Sequence, residues 1–178
     1  MDVQNGIVAR FGDDTTYLDR LAGAVDAARS AGLPVIYVRV AFRDGYPEVS
    51  PHNKTFAAAA ARGGMTETDE ATQVHARVAP RPGEVTVIKK RVSAFTGSGL
   101  DLVLRGQGID TLVLTGIATS GVVLSTLREA ADQDFGLVVL ADGCVDNDPE
   151  VHRVLTEKVF PRQAEVTTVA DWIATLAP

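Results

Sequence analysis

Lys89 and Lys90 follow directly on the apolar run Val85–Ile88. A lysine ammonium at the end of a buried strand is costly unless a carboxylate neutralises it. In a doubly wound sheet, ligands sit outside the carboxyl ends of the strands. That rule selects Lys89 and Lys90, the small-residue turn Gly116-Ile117-Ala118-Thr119-Ser120-Gly121 after Thr111–Thr115, and Asp142 after Leu137–Leu140. Asp2 joins them if a strand precedes it. The turn suits backbone N–H groups that face a cavity at a helix N-terminus and stabilise an oxyanion or carboxylate. Two plainer readings stand beside these. Lys89-Lys90-Arg91 also fits a solvated basic run, and the turn also fits tight strand–helix packing with Thr119 or Ser120 as N-cap. His52, His75 and His152 lack the spacing of a metal site, and His152 is expected at the surface of an amphipathic helix. Cys144, past a strand end, reads as a small buried filler rather than an activated nucleophile.

The elements that must position these groups follow from periodicity. Leu18, Leu21, Ala22, Val25 and Ala28 recur at helical spacing over Thr15 to Ala31, and Gly32 with Pro34 ends the helix. Strands are expected at Val35–Val40, Val85–Ile88, Thr111–Thr115 and Leu137–Leu140, with a weaker fifth at Val166–Val169. Helices are expected near Gly99–Gln107, Ser120–Gln133, Asp148–Val159 and Ala170–Leu176. Near-continuous apolar strands alternating with helices indicate a parallel sheet covered on both faces. The fold class is therefore α/β, a three-layer, doubly wound parallel sheet in a single domain over 1–178. Residues 41–84 show no clear strand and read as a partly helical flap near the site.

Composition narrows the function. The 178 residues carry 17 basic and 23 acidic side chains, a net charge of −6, which argues against nucleic acid or an anionic membrane as partner. A single cysteine excludes an internal disulfide framework. No apolar run reaches membrane-span length and none resembles a signal peptide, so a soluble cytoplasmic protein is expected. No dinucleotide or phosphate-loop pattern is present, and neither cofactor nor metal is expected.

Four stretches together resemble the isochorismatase-like, or cysteine hydrolase, superfamily. They are Asp2-Val3-Gln4-Asn5, Lys89-Lys90-Arg91-Val92-Ser93-Ala94-Phe95, Gly116 through Thr126, and Ala141-Asp142. The resemblance covers nearly the whole chain. It implies that Asp2 and Lys89 are the catalytic Asp and Lys of an Asp–Lys–Cys triad. The residue matching the nucleophilic Cys is Val122, six positions after Gly116. The resemblance also implies a cis peptide ahead of Ala118, with Ile117, Ala118, Thr119 and Gly121 as the oxyanion and substrate-binding turn. Gln4 and Phe95 then line the pocket, and a homo-oligomer is expected, with 41–84 near a subunit contact.

Valine has no nucleophilic atom, so the acyl-enzyme route is closed at that position. Ser120, Ser125 and Cys144 do not replace the thiol. The expected function is hydrolysis of a small polar metabolite by Asp2 and Lys89 acid–base chemistry, with vinyl-ether hydrolysis as one candidate reaction. The alternative is a catalytically inactive member that binds a small ligand. In the family the residue matching Asp2 ends an apolar strand in the middle of the sheet, and no such strand precedes Asp2 here. The expectation is that the biological chain is longer at its N-terminus, with a slot between Val35–Val40 and Thr111–Thr115.

Overall fold

The computed structural model describes residues 1–11 and 15–176. Five strands form: β1 (Ile36–Val40), β2 (Val85–Lys89), β3 (Thr111–Ile117), β4 (Gly136–Val145) and β5 (Glu165–Thr167). The helices are α1 (Asn5–Val8), α2 (Thr15–Ser30), α3 (Lys54–Arg62), α4 (Leu100–Gly106), α5 (Leu124–Asp132), α6 (Pro149–Val154) and α7 (Val169–Thr175). All strand pairs are parallel, β1 with β2 and β3-β4-β5 in order. No helix among the described residues is long and apolar enough to cross a membrane.

The layering is legible in β4. Leu137 and Val139 pack into a cluster with Leu100, Leu104 and Leu127 of α4 and α5. Val138 and Leu140 face the other way, against Ala24 of α2 and Trp172 of α7. Alternate side chains therefore bury against helices on opposite faces, which is the three-layer arrangement. Gly32, at φ 71°, closes α2, and the amide of Leu33 turns back to donate to Ala28 O at 2.9 Å. Arg29 then grips Glu84 through two bonds of 2.7 and 2.8 Å, and that guanidinium holds the Glu84 carboxyl down at about 2.

Several boundaries differ from the periodicity. The helix expected over Ser120–Gln133 opens as a π-helical turn, Thr119–Val123, before α5. The fifth strand is Glu165–Thr167 and Val169 already belongs to α7. β4 does not end at Leu140: its register against β3 jumps between Leu114 and Gly116, so three extra residues bulge out and pairing resumes at Cys144. Asp142 and Cys144 thus lie within a strand rather than beyond one.

Residues 41–84 contain α3 and short 3₁₀ turns at Glu70–Thr72 and Ala76–Val78, but no strand. They reach the N-terminal segment, where the amide of Asn5 donates to Gln73 O and that of His75 donates to Val3 O.

The segment Met1–Val3 joins the two halves of the sheet at their carboxyl ends. Met1 N donates to Thr115 O at 3.0 Å, and the amide of Ile117 donates to Met1 O at 3.1 Å. On the other side, the amide of Asp2 donates to Val38 O at 2.8 Å. Below these bonds, β1 and β3 flank an apolar cavity of about 500 Å³.

Close approach at this junction depends on Gly116. Its φ is 151°, and a Cβ there would stand 2.3 Å from Met1 O. Gly116→Ala is expected to lower stability by about 2–3 kcal/mol or more through this overlap. Gly23→Ala, inside α2 with nothing within 4 Å of the new methyl, is expected to raise it by up to ~1 kcal/mol. Urea-unfolding midpoints of the two variants, read against an unchanged m-value, check both signs.

Candidate active site

Lys89 is the last residue of β2, and only 1% of its surface is exposed. An ammonium offers three N–H donors. Here the three acceptors are Asp2 Oδ2 at 2.9 Å, Arg91 O at 3.0 Å and Val92 O at 2.9 Å. The loop after β2 therefore curls back over its own lysine, and the charge is fully engaged inside the protein. Lys89-Lys90-Arg91 is not a solvated run. Lys90 donates to Ala41 O and pairs with Glu67 at 2.5 Å, while Arg91 donates to Glu48 O.

Asp2 is held just as firmly from its backbone. Its φ of 55° lies in the left-handed region, which Asp tolerates better than most residues. That twist turns the chain out of the sheet immediately after Asp2. The next rung of β1 is completed by a side chain instead. Gln4 Oε1 accepts from Val40 N at 2.8 Å, and Gln4 Nε2 donates to Val40 O and Thr72 O at 2.9 Å each. Gln4 is buried with its amide spent on backbone, so it braces the site rather than lining a pocket.

The Asp2 carboxylate has two unlike oxygens. Oδ2 accepts from Lys89, while Oδ1 is buried without a hydrogen-bond partner. Burial raises the Asp2 carboxyl above its ordinary range, against the opposing charge and hydrogen bond of Lys89.

The turn after β3 stands next to this pair, because Met1 O is bonded to the amide of Ile117. The Ile117–Ala118 peptide bond is cis. Two of the four residues expected to bind an oxyanion have spent their amides. Ile117, still in β3, donates to Met1 O, and Gly121, inside the helical turn, donates to Ala118 O at 3.1 Å. The Ser120 amide is likewise taken, by Asp146 Oδ2 at 2.7 Å. Thr119 is fully buried and serves as no side-chain cap; its Oγ1 lies 2.8 Å from His152 Nδ1. His152 is therefore half-buried and engaged, not a free surface residue.

Val122 is 2% exposed and belongs to the core cluster of Ala94, Phe95, Val123 and Cys144, against which Met1 packs. Phe95 is a core residue of the same cluster. Cys144 is buried, and loss of solvation pushes its thiol up to about 12, so it is inert as a nucleophile. Asp142 Oδ1 accepts from the amide of Val169 at the start of α7 and takes no part in the Asp2–Lys89 pair.

Sequence reasoning missed the bracing by Gln4 and the contacts of Asp146 and His152 with the turn. Asp148-Pro149 does carry a helix-start signature, and His152 lies one turn beyond it, but nothing local aims that helix at Thr119.

The ion pair has a pH signature. Lys89→Met would leave Asp2 buried without its cation and raise its carboxyl further. A carboxyl whose pKa is raised on folding favours the folded state at low pH and loses that contribution as pH rises through the folded pKa. The variant is therefore expected to lose about 3–5 kcal/mol relative to the parent at pH 8, and distinctly less at pH 5. Denaturant titrations of both proteins at the two pH values check the sign.

Comparison with known proteins agrees with this architecture. The Isochorismatase domain family matches residues 1–171. Ureidoacrylate amidohydrolase RutB of Methylobacterium radiotolerans is 33% identical over 200 residues, covering 99% of this chain and 75% of that protein. The uncharacterized isochorismatase family protein YecD of Escherichia coli O157:H7 is 31% identical, covering 96% of this chain and 90% of its own. The solved structure of an isochorismatase family protein from Burkholderia thailandensis superposes with a TM-score of 0.83 at 30% identity, covering 98% of this chain and 92% of that one. A family match over residues 1–171, with relatives more than 30% identical along nearly the whole chain, makes this protein a member of the isochorismatase family of hydrolases.

Proposed function

We propose that the protein hydrolyses a small polar metabolite by acid catalysis from Asp2, with water rather than a side chain as the nucleophile. The observation that carries this reading is the unpartnered Oδ1 of a buried carboxyl whose pKa is raised. Burial shifts such a group toward its protonated form, and Oδ1 has no partner competing for the proton. Lys89 fixes Oδ2, so the proton resides on Oδ1, and its charge limits how far burial raises the carboxyl. With all three N–H groups engaged, Lys89 acts as a positioning residue.

The substrate class that fits is a vinyl ether. Asp2 Oδ1–H protonates the electron-rich alkene carbon and leaves an oxocarbenium ion. Water adds to the cationic carbon, and the proton it releases restores Asp2. The resulting hemiketal collapses to a carbonyl compound and an alcohol. Ala118, half-buried and next to the cis bond, is the turn residue left to hold the substrate's polar end. The relative named a ureidoacrylate amidohydrolase supports a small, polar, unsaturated substrate, but Val122 closes the thiol route to an amide.

A second reading rests on Val122 itself: an apolar side chain in the nucleophile position suits a protein that binds a ligand without turning it over.

A panel of small vinyl ethers and ureido or amide compounds separates the two. Turnover is expected with vinyl ethers, reduced by at least about 100-fold in Asp2→Asn. Val122→Cys is expected to add amide hydrolysis that the parent lacks. Binding by calorimetry with no turnover by the parent selects the second reading.

A further inference from the structure

Arg39 lies in β1 opposite Ile88 of β2, and it is half-buried against the 41–84 segment. Its Nη1 donates to Glu67 O and Thr72 Oγ1 at 3.2 Å each and to Thr72 O at 3.4 Å. A guanidinium carries five N–H donors in a fixed fork. The other edge of this fork, Nε and Nη2, has no acceptor among the described residues and stays open to solvent. Burial disfavours the charge and Glu67 alone opposes that, yet Glu67 already pairs with Lys90 at 2.5 Å. A half-buried cation without a counter-ion of its own is costly. Arg39 shares an open cavity of about 340 Å³ with Gln73, Val74, Pro80 and Thr86, and no carboxylate lines it. Val74 faces Gln4 in an antiparallel bridge, where Asn5 N bonds Gln73 O and His75 N bonds Val3 O. In such a pair the central residues turn their own amides outward. The Val74 N–H therefore points away from Gln4, and it has no acceptor among the described residues. The Thr86 hydroxyl is unpartnered there as well.

We propose that this cavity binds a phosphate group, free or carried on a small metabolite, at a site separate from Asp2 and Lys89. The open edge of the Arg39 fork presents two N–H groups side by side, which suits two oxygens of one anion. The Val74 amide and the Thr86 hydroxyl supply donors for a third oxygen, which a carboxylate lacks. Val74 and Pro80 give an apolar wall for a short carbon skeleton. The occupant bears on more than its own cavity. Thr72 O accepts from both Arg39 Nη1 and Gln4 Nε2, so fixing the guanidinium steadies the carbonyl that braces the Asp2 turn. The proposal is independent of the catalytic reading of Asp2.

The test titrates the nitrogen-15-labelled protein with inorganic phosphate in exchange for chloride at constant ionic strength. Saturable shifts are expected at the Val74 amide and at Arg39 Nε–H, with a melting midpoint above that in chloride. Arg39→Lys keeps the charge and loses the fork, and is expected to weaken binding by at least about 10-fold. Thr86→Glu, at an exposed strand position, brings a like charge to the anion and is expected to weaken binding by at least about 10-fold. Its melting midpoint in chloride should match the parent's, so it stays decisive if Arg39→Lys folds poorly. No saturation at Val74 below about 10 mM overturns the proposal. So do linear shifts spread over exposed lysines and arginines, or saturation centred on Lys89 and Ala118. Equal affinity in the parent and Thr86→Glu overturns it too. Propyl phosphate then separates the two sources. Binding at least about 3-fold tighter than inorganic phosphate assigns the site to a phosphate ester, and equal or weaker binding assigns it to the free anion.

Discussion

The buried ion pair between Asp2 and Lys89 is the constraint around which the carboxyl edge of the sheet is arranged. An ammonium 1% exposed must find an acceptor for every proton. Lys89 takes two of its three from the loop that follows it and the third from Asp2. Asp2 must therefore be held to within a hydrogen bond. That is the work of the Met1 ladder to β3, the Asp2 amide on Val38 and the Gln4 side chain on Val40. Buried pairs of this kind seldom add net stability over apolar packing. One that also leaves a carboxyl oxygen unpartnered is better explained by chemistry than by folding.

The turn after β3 shares the same economy of donors. Its small residues bring the chain close to Met1, and most of its amides are already committed to Met1, Ala118 and Asp146. Val122, the residue proposed to stand in the nucleophile position, is packed into the apolar core. Cys144 does not compensate, since it pairs with Gly116 inside β4 and its thiol is held protonated by burial. In the proposed reaction Asp2 is a proton donor without a nucleophilic partner side chain, and water supplies the attacking oxygen.

The loop region 41–84 matters through its backbone. Thr72 O, Gln73 O and the amide of His75 fasten it to Gln4, Asn5 and Val3, so it braces the residues on either side of the Asp2 turn. The Arg29–Glu84 clamp anchors its far end to α2. A change in this region can thus reach Asp2 without touching it.

Much of the architecture was legible in the sequence, because its signals are local. Alternating apolar runs specify strands buried on both faces, as β4 shows, and the helical spacing of Leu18, Leu21 and Ala28 specifies one face of α2. Lys89 could be singled out with Lys90 by its place at a strand end, and Asp2 and Val122 by the family resemblance. Their physical state could not. That Lys89 is fully engaged, that Asp2 Oδ1 is not, and that burial outweighs the lysine in raising the Asp2 carboxyl are sums over groups from β1, β2, β3 and the 41–84 segment. The same holds for the amides of Ile117 and Gly121, which are spent on partners no spacing rule reveals, and for His152, which meets Thr119 across 33 residues of chain. Periodicity records which way a side chain faces; only the tertiary structure decides what it finds there, because desolvation and hydrogen-bond competition depend on every neighbour at once.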